Sequence, residues 1–297
     1  MTILHKLRRK IEDPPPAYAF EISGEGIAWA CCGPPAELGF APLEEGVLAI
    51  SPLADNVVRP ESLFDAVRAL APTNGKSRRR TAALILPDFC ARVAVLDFSS
   101  FPTDQREQEA LVRFRVKKSI PFDLDSARIS YFVQSGGSAG KACEVLVAVA
   151  ALEIVARYEA AFRAAGFAPG YVTTSTLAAL RLLPGDGVRV VAKLSGGVLA
   201  VSVVAGDELT LLRCVELPAL NRREIMDVLQ PTFAYIEDKM QTPPRSLTMC
   251  GFRDIQEEVA LDCQRELGVG AEPLASRLGR PDATNAGLLG YLEASGT

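Results

Sequence analysis

Glycine and serine gather at two turns of the chain, Ser23-Gly24-Glu25-Gly26 and Ser195-Gly196-Gly197, with Glu21 ahead of the first and Lys193 ahead of the second. A third short turn, Met249-Cys250-Gly251-Phe252-Arg253, carries one glycine. Turns of this composition aim backbone N–H groups and hydroxyls at an anion. They are equally the turns of ordinary hairpins, in which Gly24, Gly26, Gly196 and Gly197 supply positive φ. Other chemistry is thinly provided. His5 is the only histidine, so histidine metal sites and serine or cysteine triads lack their usual base. The seven cysteines, Cys31, Cys32, Cys90, Cys143, Cys214, Cys250 and Cys263, include no CxxC pair and read as buried, reduced thiols of a cytosolic protein. Asp123 and Asp125 resemble a turn pair more than a catalytic dyad, because no second acid cluster accompanies them.

With 297 residues and 48% hydrophobic content, the chain has room for two packed cores. A net charge of -4 argues against a nucleic-acid partner, which calls for a basic excess on one face. No run of eighteen apolar residues is present, and the opening MTILHKLRRK lacks the apolar core of a secretory signal. The expectation is a protein that neither spans a membrane nor is exported. That opening reads as a solvated tail, the alternative being a short basic helix with Ile3, Leu4 and Leu7 resting on anionic lipid. Lys76, Arg78, Arg79 and Arg80 read as a solvated linker, with acidic lipid or an acidic partner as the alternative.

The elements that must position the turns follow from periodicity. Pro14-Pro15-Pro16 ends any initial helix, and Tyr18 to Cys32 forms a hairpin, a sheet that Val47 to Ile50 is expected to extend. Glu61 to Leu70 is helical, Thr81 to Leu86 is a strand buried on both faces, and Arg92 to Phe98 is another strand. A helix from Asp104 to Ser119 opens with a capping pattern at Thr103 and carries Ala110, Leu111, Phe114 and Ile120 at helical spacing. Strands Ala127 to Val133 and Cys143 to Ala150, helix Leu152 to Ala165, strand Tyr171 to Thr174 and helix Ser175 to Leu182 complete an alternating unit. After a break at Pro184 to Gly187, three strands repeat the hairpin design: Val188 to Leu194, Val198 to Val204 and Glu208 to Glu216. A helix from Arg222 to Met240, kinked at Pro231, a strand Ser246 to Cys250, and helices Asp254 to Leu267 and Thr284 to Leu292 follow. Trp29, the only tryptophan, is expected to pack in the core.

The segment Ala110 to Tyr131, ALVRFRVKKSIPFDLDSARISY, resembles the PilM family of bacterial type IV pilus assembly proteins, through the Ile120-Pro121-Phe122 element, the acidic turn at Asp123 and the strand ending at Tyr131. The stretch EVLVAVAALEIVARYEAAFRAAGFAPGYVTTSTLAALRLL resembles the same family, with Gly166-Phe167 at its turn. The family is similar to FtsA and actin. The resemblance therefore implies an α/β, actin-like ATPase fold, of duplicated ribonuclease H-like lobes with an inserted α/β subdomain. It divides the chain into a tail (1–16), a first lobe (17–87 and 169–184), an insertion (88–168), a second lobe (185–283) and a C-terminal helix (284–297) returning to the first lobe. It also implies a cytoplasmic role at the inner face of the inner membrane. The partners would be the cytoplasmic tail of a PilN-like inner-membrane protein, pilus motor components and a possible second copy. The basic helix residues Arg113, Arg115, Lys117 and Lys118 would face such partners or simply solvent.

An actin-like ATP site wraps phosphates between two hairpin turns and holds magnesium through an acid beside each. The candidate positions are Glu21, Ser23, Gly24, Lys193, Ser195, Gly196, Gly197 and Gly251. Glu25 is expected where phosphate would lie, at a cost on the order of 4 kcal/mol, and Ala28 stands where a lysine would. Lys193 inverts the second acid, and Val198 and Leu199 remove hydroxyls; Phe252 is expected to fill the sugar or base space. Lys193 touching phosphate directly, in metal-free ATP binding, is the alternative. No catalytic residue, metal or cofactor is expected, and the chain reads as a pseudo-ATPase scaffold. The alternatives are an active actin-like ATPase or sugar kinase-type enzyme, or a type II secretion platform.

Overall fold

The computed structural model describes residues 15–33, 35–71, 80–120, 122–134, 142–183, 187–241, 244 and 246–296. The opening basic segment, Lys76 to Arg79 and the turns at 135–141 and 184–186 lie outside them. Strands β1 (Tyr18–Ser23) and β2 (Gly26–Cys31) form an antiparallel hairpin, in register from Tyr18 opposite Cys31 to Ser23 opposite Gly26. Strand β3 (Glu37–Pro42) adds antiparallel to β2 and is the edge of the sheet. The expected extension by Val47 to Ile50 is not found, since Leu48 makes only an isolated bridge to Val57. Two glycines let β3 close in. A Cβ at Gly26 would lie 2.4 Å from the Ala41 carbonyl and 2.5 Å from the Phe40 ring, and one at Gly39 would lie 2.4 Å from the Trp29 ring. Trp29 thus packs across β3.

Helix α1 (Pro60–Ala69) starts with proline at its first position, where no N–H is needed, and buries Leu63 and Val67. Strand β4 (Arg80–Leu86) runs parallel to β1 and is fully buried from Ala82 onward. The chain then builds a separate three-stranded sheet from β5 (Arg92–Phe98), β6 (Ala127–Val133) and β7 (Cys143–Ala151), ordered β5-β7-β6. Helix α2 (Gln105–Val116) covers it, capped by Asp104 rather than Thr103: the Asp104 carboxylate accepts the N–H groups of Arg106 (3.0 Å) and Glu107 (3.1 Å). Val112 and Val116 point into the sheet against Val145, Val147 and Val149, so Phe114 turns outward, 69% exposed. The basic face is partly spent within the subdomain. Arg113 donates to the Leu124 carbonyl, and Arg115 donates to the Asp97 carbonyl while lying over the Phe98 ring.

Helix α3 (Leu152–Ala164) leads back to β8 (Phe167–Thr174), parallel to β4, and the first sheet closes in the order β3-β2-β1-β4-β8. Helix α4 (Ser175–Ala179) continues as a tight turn to Leu182. The second lobe repeats the plan with β9 (Val188–Ser195), β10 (Val198–Ala205), β11 (Glu208–Glu216), helix α5 (Arg222–Met240), β12 (Ser246–Cys250), helix α6 (Gln256–Glu266) and β13 (Ala271–Pro273). Its order, β11-β10-β9-β12-β13, matches the first sheet strand for strand: an antiparallel meander, then two parallel strands. Each lobe buries its own apolar cluster, one around Phe20, Leu84 and Phe162, the other around Leu199, Leu229 and Val259. Among the described residues no helix is long and apolar enough to cross a membrane.

Helix α7 (Ala286–Ser295) packs on α4 with its backbone nearly in contact. A Cβ at Gly287 would meet the Ser175 carbonyl at 2.8 Å, and one at Gly290 the Ala178 carbonyl at 2.2 Å. Gly290→Ala is therefore expected to push the two helices apart and to cost about 1–3 kcal/mol. Urea denaturation checks this, and an unchanged midpoint would contradict so close an approach.

Candidate functional site

Strands β1 and β9 carry the two turns to opposite walls of a single cleft of about 450 Å³. Glu21, Ser23 and Gly24 line it from the first lobe, and Lys193, Ser195 and Gly196 from the second. Gly197 and Gly251 are not among the lining residues. Gly196 (φ 57) and Gly197 (φ 80) make the two-residue turn of the β9–β10 hairpin, whereas Gly24 and Gly26 do not adopt positive φ. Gly26 is glycine because Phe40 and Ala41 press on it. Gly251 (φ 82) is glycine because a Cβ there would lie 2.1 Å from the Leu194 carbonyl and 3.1 Å from the Ala283 Cβ. The third turn is thus packed against protein at Gly251.

The floor of the cleft holds a buried charged network. Glu21, 1% exposed, accepts a hydrogen bond from the Ser175 hydroxyl on one oxygen and from the Leu288 N–H (2.7 Å) on the other. Asp88, in the turn after β4, accepts the Thr176 N–H (2.6 Å), the Thr176 hydroxyl (2.7 Å) and the Lys193 ammonium (3.3 Å). Lys193 is 2% exposed and Asp88 6%, so the pair joins the lobes as a buried contact at the cleft floor. Burial pushes the Glu21 carboxyl above its ordinary range, while Lys193, Ser175 and the Leu288 N–H pull part of the way back. Burial also works against the charge on Lys193, but Asp88 and Glu21 outweigh it and raise the ammonium above its usual value.

Asp88, Ser175 and Thr176 were not singled out from sequence. Their signal was faint: an acid just past the carboxyl end of a wholly apolar strand, and hydroxyls at the start of a short helix. Two other expectations are corrected. Glu25 lies outside the cleft lining, and its carboxylate is taken by Arg253 (2.6 Å), so it does not occupy a phosphate position. Phe252 is buried in the core of the second lobe beside Val259 and Met249 rather than in the cleft. Ala28 lies among Ala19, Ala30, Ala83 and Leu288, where a lysine would have no room.

No family model matches the chain, and no curated protein is similar to it in sequence. Solved structures are similar in fold. A chain of the PilM-PilN type IV pilus biogenesis complex superposes with a TM-score of 0.76 at 19% identity, over 95% of this chain and 99% of its own. A Bacteroides thetaiotaomicron protein with an actin-like ATPase fold and unknown function gives a TM-score of 0.58 at 8% identity, over 99% of both chains. The fold is actin-like. The resemblance to PilM proteins drawn from Ala110 to Tyr131 is thus met across the whole architecture. The cytoplasmic domain of EpsL, an inner membrane component of the Vibrio cholerae type II secretion system, is also similar, with a TM-score of 0.49 at 13% identity over 78% of this chain and 80% of its own.

An actin-like cleft would have to offer free phosphate donors and an acid for magnesium at each turn. Here the Ser23 hydroxyl is spent on the Gly26 carbonyl (3.0 Å) and the Ser195 hydroxyl on the Ala283 carbonyl (3.0 Å). The Lys193 ammonium, which also lines the cleft, is paired with Asp88. Glu21, Asp55, Asp88 and Glu216 line the actin-like cleft against that one lysine, which sets repulsion against any triphosphate arriving without a metal. Among the described residues no group of three or more histidine, cysteine or acidic side chains is placed to hold a metal ion.

Lys193→Met would leave Asp88 buried without a counter-ion, and is expected to cost about 3–5 kcal/mol in urea denaturation. Lys193→Met with Asp88→Leu is expected to recover most of that loss, because the charge goes with its partner. The pH dependence follows from the raised values. Below pH 4.5 Glu21 is protonated in both states; as pH rises from there toward its higher folded value, the unfolded chain ionises first and stability falls. Glu21→Gln should therefore gain on the unmodified protein as pH rises above 4.5 and match its pH slope below, measured by urea midpoints across that range. Lys193 keeps its contribution below 10.5 and loses it only as pH rises through its still higher folded value.

Proposed function

We propose that this chain is a non-catalytic scaffold of a type IV pilus assembly complex, holding the cytoplasmic tail of an inner-membrane partner of the PilN kind. The observation that carries the non-catalytic part is the buried Lys193–Asp88 pair, which puts a committed cation where an actin-like site needs a magnesium-binding acid. The pilus part is supported by the near-complete overlap with the chain of the PilM-PilN complex. On this reading the protein works in the cytoplasm, peripheral to the inner face of the inner membrane, and passes contact on to pilus motor components or to a second copy. Phe114 on helix α2 and Phe132 on β6, both exposed and on opposite sides of the inserted subdomain, are apolar groups such contacts would use.

Thermal unfolding with ATP or ADP, with and without magnesium, tests the cleft. A nucleotide at a hundred times its dissociation constant would add about 2.7 kcal/mol. No shift beyond that of magnesium alone is expected, and a magnesium-dependent rise in Tm would overturn the assignment as a pseudo-ATPase. Affinity capture from detergent-solubilised inner membranes tests the partner: a single-span protein with a short cytoplasmic tail is expected, and its repeated absence would count against the pilus role.

A further inference from the structure

Three separate sets of contacts tie the lobes together. On the cleft floor, Lys193 of β9 meets Asp88 of the first lobe. At the rim, Glu25 on the tip of the first hairpin meets Arg253, which follows the glycine turn of the second lobe. Arg253 holds a left-handed backbone (φ 46), a strained setting for a side chain with a Cβ, and it delivers the guanidinium to Glu25. On the flank, the inserted sheet grips the second lobe. Gln134 bonds both backbone groups of Leu209, accepting its N–H (2.9 Å) and donating to its carbonyl (2.8 Å). Val93 packs there against Val204, Leu209 and Leu212, and Glu144 lies 3.8 Å from Lys239.

We infer that these contacts form a built-in clamp that holds the cleft closed, so that protein charges bridge the two lobes where an actin-like protein would use a bound nucleotide. The inference rests on the reading of the cleft as one that takes no magnesium nucleotide. Floor, rim and flank draw on different elements: β9 with the turn after β4, the β1–β2 turn with the turn after β12, and the inserted sheet with β11. The rim pair is the accessible one, with both side chains about half exposed, and it can be reversed without touching either core.

Hydrogen exchange followed by mass spectrometry on the full chain tests the clamp, through peptides covering residues 18–31 and 188–205. Arg253→Glu sets two carboxylates against each other and is expected to speed exchange in both segments by about three- to tenfold. Glu25→Arg with Arg253→Glu restores the attraction and is expected to return exchange to the rate of the unmodified protein. Gln134→Ala, which leaves the rim intact, is expected to speed exchange in β5 and β11. Unchanged exchange in Arg253→Glu, or no recovery in the double reversal, overturns the clamp. Either result leaves the scaffold proposal standing, because nucleotide melting and partner capture do not depend on Glu25. A magnesium-dependent melting shift in the same sample reports instead against the nucleotide-free cleft.

Discussion

A lysine removed from water needs a carboxylate within reach, and the lobes of this protein meet where Lys193 finds one. The ammonium sits on the central strand of the second sheet, while Asp88 belongs to the turn after β4 in the first. Desolvating either ion alone costs several kcal/mol, so the lobes are constrained to a separation at which the charges compensate. Asp88 is oriented in turn by two hydrogen bonds from Thr176, at the start of α4. That helix is positioned by α7, whose Gly287 and Gly290 allow backbone-to-backbone approach. The same approach brings the Leu288 N–H to Glu21. One ion pair therefore depends on a C-terminal helix 95 residues further on, counting from Lys193 to Leu288, and a glycine spacing that looks unremarkable in sequence acquires a reason.

Much of the fold was legible because its signals are local. Both hairpins, the apolar β4 and the long α5 announce themselves by period and by their turns, and the repetition of strand–turn–strand foretold two sheets of one plan. Strand β3 escaped because Glu37-Leu38-Gly39-Phe40-Ala41-Pro42 mixes glycine and proline into a stretch held only by β2 and by the Trp29 ring. Phe114 falls in the apolar spacing of α2, yet the helix is rotated so that Val112 and Val116 fill the space above β7 and Phe114 is left exposed. Hydrophobicity marks a stripe, and packing decides which edge of it is covered.

The candidate site divides along the same line. Glu21, Ser23, Gly24, Lys193, Ser195 and Gly196 share a cleft, as a matched pair of hairpin turns requires. What one turn does to the other was not legible, because the decisive partners are far apart in the chain. Asp88 is 105 residues from Lys193, and Glu25 is 228 from Arg253. Sequence alone gave Glu25 a role by its position in a motif. The fold gives it a different one through a guanidinium that no local pattern could supply.

The glycines of the three turns carry less functional information than their motif suggests. Gly196 and Gly197 are needed for a tight turn with φ positive at both residues, Gly26 for the pressure of Phe40, and Gly251 for the approach of the Leu194 carbonyl. Each of these demands persists whether or not a phosphate ever enters. The charged positions are different, because a carboxylate or ammonium at 1–2% exposure is tolerated only against a specific partner. Lys193 against Asp88, and Glu21 under Ser175 and Leu288, are solutions for a cleft whose counter-charges come from protein. In this duplicated fold the charged residues two positions ahead of the turns, Glu21 and Lys193, are held by partners far along the chain, whereas the glycines within the turns answer to local geometry.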